Sequence, residues 1–245
     1  MMESPTKQLL NVLPDARSVL VVCAHPDDES FGLGAALATF SESGSSTSVL
    51  CFTHGEASSL GADADDLGRV RAGELDAAAC ELGVAHVELL DYRDGHLAEE
   101  PLDDLTAPIR QATERARVDL LLVFDEGGIT GHPDHCRATE AGIAAGRELE
   151  LPVLAWALPQ RVAEMLNSEF SASFVGRRDE ELDYFISVER TRQLRAIDQH
   201  VSQAPDNPVL GRRLEVQGNR EAFRWLARPS RDDVPMRHAH RLDIK

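Results

Sequence analysis

The chain has 245 residues, enough to bury a substantial core in one α/β domain or two small ones. Hydrophobic content of 42% and charged content of 27% are ordinary for a soluble globular protein, and no apolar run reaches the roughly 20 residues of a membrane helix. A net charge of −17 repels phosphates, which argues against a nucleic-acid or anionic-membrane partner.

Residues 1–14 contain no apolar leader core, so a cytoplasmic protein is expected. Residues 18–24 form an apolar first strand. Phe31, Leu33, Ala36, Leu37 and Phe40 then recur as on a helix over 31–40, and a Ser/Gly-rich turn precedes a second strand at 48–53. After a polar loop, 54–66, an amphipathic helix is predicted over 67–82, with Val70, Leu75, Ala78, Ala79 and Leu82 on its apolar face and Gly83 as its cap. Residues 86–90 read as a third strand. The segment 102–117 is helical, kinked or split at Pro108. Residues 118–124 form a fourth strand, 125–130 a loop, 135–149 a helix and 152–158 a fifth strand. Beyond Pro159 the pattern changes: a short helix at 160–170, two short strands at 171–176 and 183–188, a helix at 189–200, and a loop-rich remainder around one short helix near 220–227. The whole chain is read as one domain, with a core at 18–158 and a C-terminal α/β elaboration at 159–245.

Strands separated by helices of these lengths imply βαβ crossovers and a mostly parallel, Rossmann-like sheet flanked by helices. In such sheets sites form beyond the carboxyl ends of the strands. His25, Asp27 and Asp28 follow the first strand, His54 the second, Asp94 the third, and His132 and His135 the fourth.

The first of these ends reads Ala24-His25-Pro26-Asp27-Asp28-Glu29. Proline and aspartate are common turn formers, so the segment alone is equally a turn. A second segment, Gly131-His132-Pro133-Asp134-His135, repeats the His-Pro-Asp core after another apolar strand and shifts the reading toward one metal site built from two strand ends. Imidazole and carboxylate suit Zn²⁺, with three protein ligands and one open position. His25, Asp28 and His135 make such a set, and Fe²⁺ fits the same N/O donors. Each proline disfavours α conformation at the histidine before it. Asp27, beside a ligand, is placed to take a proton from water activated by the metal, and His132 to polarise a carbonyl or protonate a leaving amine. Glu29 and Asp134 are read as helix caps or as groups supporting the ligands.

These segments resemble the signatures of the PIG-L/LmbE-like zinc-dependent de-N-acetylases. The likeness extends through Thr53-His54-Gly55-Glu56, Arg71-Ala72-Gly73-Glu74, Leu82-Gly83-Val84, Asp91-Tyr92-Arg93-Asp94-Gly95 and the helix end His200-Val201-Ser202-Gln203, so it covers roughly 18–203. The resemblance implies zinc on His25, Asp28 and His135, Asp27 as general base and His132 as the electrophilic or general-acid histidine. It also implies Arg71 and Asp94 in contact with a polar substrate, typically an N-acetylglucosamine conjugate. Thr130 stands where some members carry a tyrosine that assists the carbonyl oxygen. His54 and His96 are expected to line the pocket, and His86 to be structural.

The expected function is hydrolysis of an N-acetyl amide on an amino-sugar conjugate. The alternatives are an amidase for a larger acyl group or a thiol conjugate, and a catalytically silent metal- or sugar-binding member. A phosphoesterase fits poorly without a phosphate-cradling glycine loop, and Gly32-Leu33-Gly34 lacks the third glycine of a dinucleotide fingerprint. The four cysteines show no paired spacing and are read as buried free thiols, with Cys136 beside His135 the one of interest. A homo-oligomer is compatible with all of this. His238 and His240 are assigned to a solvated tail.

Overall fold

The computed structural model describes residues 9–60, 66–205 and 207–228. The tail containing His238 and His240 lies outside them. Strands β1 (Ser18–Cys23), β2 (Ser46–Thr53), β3 (His86–Tyr92), β4 (Leu120–Phe124) and β5 (Val153–Pro159) lie side by side in parallel, in the order β3-β2-β1-β4-β5. β1 is buried at every position. Val19, Val21 and Cys23 enter the core on one face, and Leu20, Val22 and Ala24 enter the core on the other. A strand covered on both faces has no reason to alternate polar with apolar, which is why it reads as an unbroken hydrophobic run. The strand order reverses between β1 and β4, and both His-Pro-Asp segments leave the sheet at that switch point.

The helices between the strands are α1 (Asp28–Phe31), α2 (Gly34–Glu42), α3 (Leu67–Leu82), α4 (Leu102–Ala116), α5 (Gly128–Gly131) and α6 (Pro133–Glu148). The helix predicted over 31–40 is two helices broken at Gly32–Leu33. A β-carbon on Gly32 would collide with the Phe124 ring, and this close approach sets the break. On α3, Leu75, Ala78, Ala79 and Leu82 are buried as expected, but Val70 is exposed. Gly83 caps α3 in the left-handed region at φ 77°. Pro108 does not split α4. Its missing N–H frees the Asp104 carbonyl, which accepts a 2.9 Å hydrogen bond from Tyr92 Oη.

The C-terminal region departs further from expectation. α7 (Gln160–Phe170) and α8 (Thr191–Gln199) form where predicted. Residues 171–175 form no strand; only β6 (Gly176–Arg177) pairs, parallel to β5. The preceding turn is tied to α7 by Asn167, whose amide both donates to and accepts from the Phe174 backbone at 2.9 and 2.6 Å. β7 (Tyr184–Ser187) is present, and the segment read as a helix is instead strand β8 (Arg220–Ala227), antiparallel to both β5 and β7. The predicted loop before it contains helix α9 (Pro208–Gln217), with Asn207 as N-cap and Pro208 at its first turn. Among the described residues no helix is long and apolar enough to cross a membrane. Cys23 and Cys51 are buried free thiols as read, whereas Cys80 is exposed and Cys136 half-buried.

Candidate active site

The site is built at the mouth between β1 and β4. His25 Nε2 lies 3.1 Å from Asp94 Oδ1 and 3.4 Å from Asp134 Oδ2, so this nitrogen carries the ring proton and Nδ1 presents its lone pair. His135 Nδ1 donates to the Gly128 carbonyl at 3.1 Å, which leaves Nε2 as the lone-pair nitrogen. The two lone-pair nitrogens face one another at 3.1 Å. Asp28 Oδ1 is 3.1 Å from His135 Nε2, and Asp28 Oδ2 is 3.8 Å from His25 Nδ1. Asp28 Oδ2 also accepts from the backbone N–H groups of Ala24 and His25 at 3.1 and 2.9 Å, which fixes the carboxylate.

Two acceptor nitrogens and a carboxylate oxygen aimed at one point require a positive charge between them. Ligands about 2.0–2.1 Å from a tetrahedral ion stand roughly 3.3 Å apart, close to the 3.1 Å between the two nitrogens and the 3.1 Å from His135 Nε2 to Asp28 Oδ1. Electrostatics draw positive charge, a proton or a metal ion, to this point. Burial pulls the His25 pKa down, but hydrogen bonds to Asp134 and Asp94 carry it well above the ordinary imidazole value. Burial likewise opposes charge on Asp28, and His135 overcomes it, holding the carboxyl far below its usual range. Spatially, His25 also groups with His132 and His135, and with Asp94 and Asp134; neither group includes a cysteine.

Asp27 is held in an unusual backbone conformation, φ 129° and ψ −26°, at the head of α1. Arg71, on α3, enforces it. Its Nη2 donates to the Pro26 carbonyl and, at 2.9 Å, to Asp27 Oδ2, while Nη1 donates to the Gly55 carbonyl at 2.6 Å. A β-carbon on Gly55, itself at φ 65°, would collide with the guanidinium. Arg71 is only 3% exposed and holds the backbone around Asp27 while also lining the cavity, where a substrate contact is expected of it. Burial raises the Asp27 pKa to about 6 against the pull of Arg71.

His132 is the N-cap of α6, extended at φ −63° and ψ 125° as its following proline demands. Its Nδ1 accepts from the Asp134 N–H at 3.2 Å, so Nε2 bears the proton. Burial, reinforced by His135 and His25, lowers its pKa, which favours the neutral ring.

Glu29 and Asp134, read as caps or as groups supporting the ligands, make contacts of the second kind. Asp134 accepts from the backbone N–H groups of Gly95 and Leu97 at 2.7 and 3.1 Å in addition to touching His25. Glu29 accepts from the Asp27 N–H at 2.9 Å and lies 2.7 Å from His200 Nε2, with both side chains fully buried. Asp94, expected to face substrate, lines the cavity and also bonds the Ala57 N–H at 2.8 Å and His25, and so supports a donor. Thr130 is exposed at the rim. His54 is not brought to the site: its ring is committed to Asp91 at 3.0 Å and it lines a neighbouring cleft. His96 is bound to Glu99 at 3.0 Å and is likewise absent from the cavity wall.

A cavity of about 570 Å³ opens beside the donors. Much of its wall was missed in the sequence: Phe31, Phe124, Trp156 and Phe174 line it, with Leu210 and Arg213 from α9. The helix end His200-Val201-Ser202-Gln203 closes the structure around it. Ser202 bonds Glu74 through N and Oγ at 2.8 and 2.7 Å, and Gln203 bonds Ser58 and the Leu60 carbonyl at 2.8 and 3.0 Å.

Known proteins share this framework. The 1D-myo-inositol 2-acetamido-2-deoxy-alpha-D-glucopyranoside deacetylase of Thermobispora bispora is 32% identical over 186 residues, 66% of this chain and 62% of that protein. The chain therefore spans less than two thirds of that relative's length. A teicoplanin deacetylase, Orf2, crystallised in a zinc-inhibited form, superposes with a TM-score of 0.66 at 21% identity, covering 88% of this chain and 99% of that one. The 4-carboxy-2-hydroxymuconate hydratase GalB of Pseudomonas putida superposes equally closely, with a TM-score of 0.65 at 19% identity over 87% and 98%, so the fold alone does not choose the reaction. A family profile described as PIG-L: GlcNAc-PI de-N-acetylase matches residues 20–146, which hold both His-Pro-Asp segments and over half the length, and the chain belongs to the PIG-L family.

Proposed function

We propose that this protein is a metal-dependent hydrolase that removes the acetyl group from an N-acetyl amide of an amino-sugar conjugate. The observation that carries the reading is the pair of opposed lone-pair nitrogens on His25 and His135 closed by Asp28, in a cavity also lined by Asp27 and His132. His25, Asp28 and His135 would hold the ion, for which the N/O donors suit zinc and also ferrous iron. When bound, such an ion polarises a carbonyl and makes water more acidic.

The chain's own residues then have separate tasks. Asp27, with a pKa near 6, is ionised at neutral pH and accepts the proton that water loses as its oxygen adds to the acyl carbon. His132 Nε2–H is a neutral donor suited to the oxygen on which charge develops. As the C–N bond breaks, a proton is delivered to the departing nitrogen, giving acetate and the free amine. The Thermobispora relative's name and the family description supply the amino-sugar class; the acidic chain makes a polyanionic substrate unsuitable.

The test is acetate release from N-acetylglucosamine conjugates by protein supplied with zinc, before and after chelation. Longer acyl amides serve as the comparison. Asp27→Ala is expected to retain metal and lose about 10²–10⁴-fold in kcat, whereas His25→Ala loses both. Turnover by Asp27→Ala near the wild-type rate would remove Asp27 from the role of base.

A further inference from the structure

One wall of the cavity contains a buried cation that, among the described residues, forms no ion pair of its own. Arg213, on α9, is 5% exposed and lines the cavity. Its guanidinium carbon lies 5.1 Å from the centroid of the Trp156 ring, and it donates to Gln217 Oε1 at 2.9 Å and to the Phe31 carbonyl. Trp156 and Phe31 line the cavity as well. A guanidinium has five N–H donors; these two acceptors are the ones it meets among the described residues.

The nearby carboxylate is Glu221, and it is taken. Glu221 Oε1 lies 2.6 Å from Arg190 Nη1; Oε2 accepts from Trp156 Nε1 at 2.6 Å and from Gln217 Nε2 at 3.0 Å. Arg190 also reaches Gln193 at 2.5 Å and the Gly218 and Arg220 carbonyls at 2.5 and 3.2 Å, so its donors are directed into the protein. Two guanidiniums therefore share one carboxylate, and the one that has no carboxylate within 4.0 Å among the described residues is the one at the cavity. Burial lowers the Arg213 pKa to about 10, so the group stays charged at neutral pH while bearing a desolvation cost. A buried, unpaired charge facing a cavity is destabilising unless something in the cavity neutralises it.

The route from donors to cation is aromatic. Phe124 stands 5.2 Å from His135 and 5.6 Å from Trp156, ring centroid to centroid, and Trp156 stands under Arg213. From this we infer that the substrate carries a carboxylate on the part of the molecule beyond the amide-bearing unit, and that Arg213 selects it. A guanidinium matches a carboxylate in shape as well as charge. The inference rests on the deacetylation reading and narrows it to acidic conjugates.

The test uses two N-acetylglucosaminides differing at one group, 4-carboxyphenyl and 4-carbamoylphenyl, with the zinc-loaded full chain. Wild type is expected to favour the carboxylate about tenfold or more in kcat/KM, and Arg213→Met to bring the ratio close to one, mainly through KM. A wild-type ratio of one or below overturns the inference, as does a ratio that Arg213→Met leaves unchanged. If neither compound is hydrolysed, the deacetylation reading fails. The same inert pair then reports Kd by calorimetry, where a tenfold preference lost in Arg213→Met upholds the carboxylate site and equal or unmeasurable binding overturns it. Should Arg213→Met not fold, as its melting curve would show, Arg213→Lys keeps the charge without the planar fork, and a preference undiminished there counts against the assignment.

Discussion

Arg71 and Gly55 illustrate how single residues fix the site. The guanidinium occupies the space a side chain at Gly55 would need, and its donors hold Pro26 and Asp27 in a backbone conformation that costs of order 1–3 kcal/mol. Gly55→Ala is expected to be destabilised by about 1–2 kcal/mol from its positive φ alone and to lose activity besides, because Arg71 must move; urea melts and acetate release measure the two effects. Arg71 also lowers the Asp27 pKa against the burial that raises it. Removing that cation in Arg71→Gln lets the carboxyl rise above 6, so a base that must be ionised works only at higher pH. The acidic limb of the kcat/KM profile is expected to move upward, and an unmoved limb would sever Arg71 from Asp27. At this scale the sequence was informative about which residues meet but not about all of their contacts. That His25, Asp27, Asp28, His132 and His135 would line one cavity was legible because few side chains suit such chemistry. That Arg71 and Asp94 would also bond their own chain depends on loop paths that motif spacing does not encode.

Among the elements, α4 and β8 are instructive. Pro108 sits inside α4 without breaking it, because Tyr92 Oη replaces the bond that its ring removes. Tyr92→Phe is expected to cost about 0.5–1.5 kcal/mol, and less in a Pro108→Ala background where a backbone N–H returns to Asp104; a double-mutant cycle in urea gives the coupling. The C-terminal strand was misread for a physical reason. Arg-Glu-Ala-Phe-Arg-Trp-Leu-Ala has good helix formers and three charges, yet Glu221, Phe223 and Trp225 alternate along one face, the period of a strand. Its polar Glu221 looked like surface and is instead fully buried against Arg190 and Trp156. The helix before it carried a readable start in Asn207-Pro208, masked by the surrounding prolines. The five parallel strands were legible because four are buried almost throughout and the half-buried edge strand β3 keeps Val87, Leu89 and Leu90, on a sheet whose connections have standard lengths.

The whole molecule is held by two opposing demands. A charge of −17 repels itself, and screening should relieve it, so Tm is expected to rise when sodium chloride is raised from 0.1 to 1 M, as calorimetry would show. Inside, the pair between Arg190 and Glu221 ties β8 to the loop before α8. Arg190→Met leaves Glu221 buried without its cation and is expected to cost about 3–5 kcal/mol, measured by urea denaturation.

The position of β8 between β5 and β7 also governs the order in which the protein is completed during synthesis. Every residue of the donor triad is synthesised by position 135, beside strands β1 and β4, which pair in the folded protein. The Glu221 acceptor of Trp156 and the Arg213 above it are added some seventy to ninety residues later. A nascent chain thus holds the proposed metal donors well before it holds the helix and strand that complete the cavity wall.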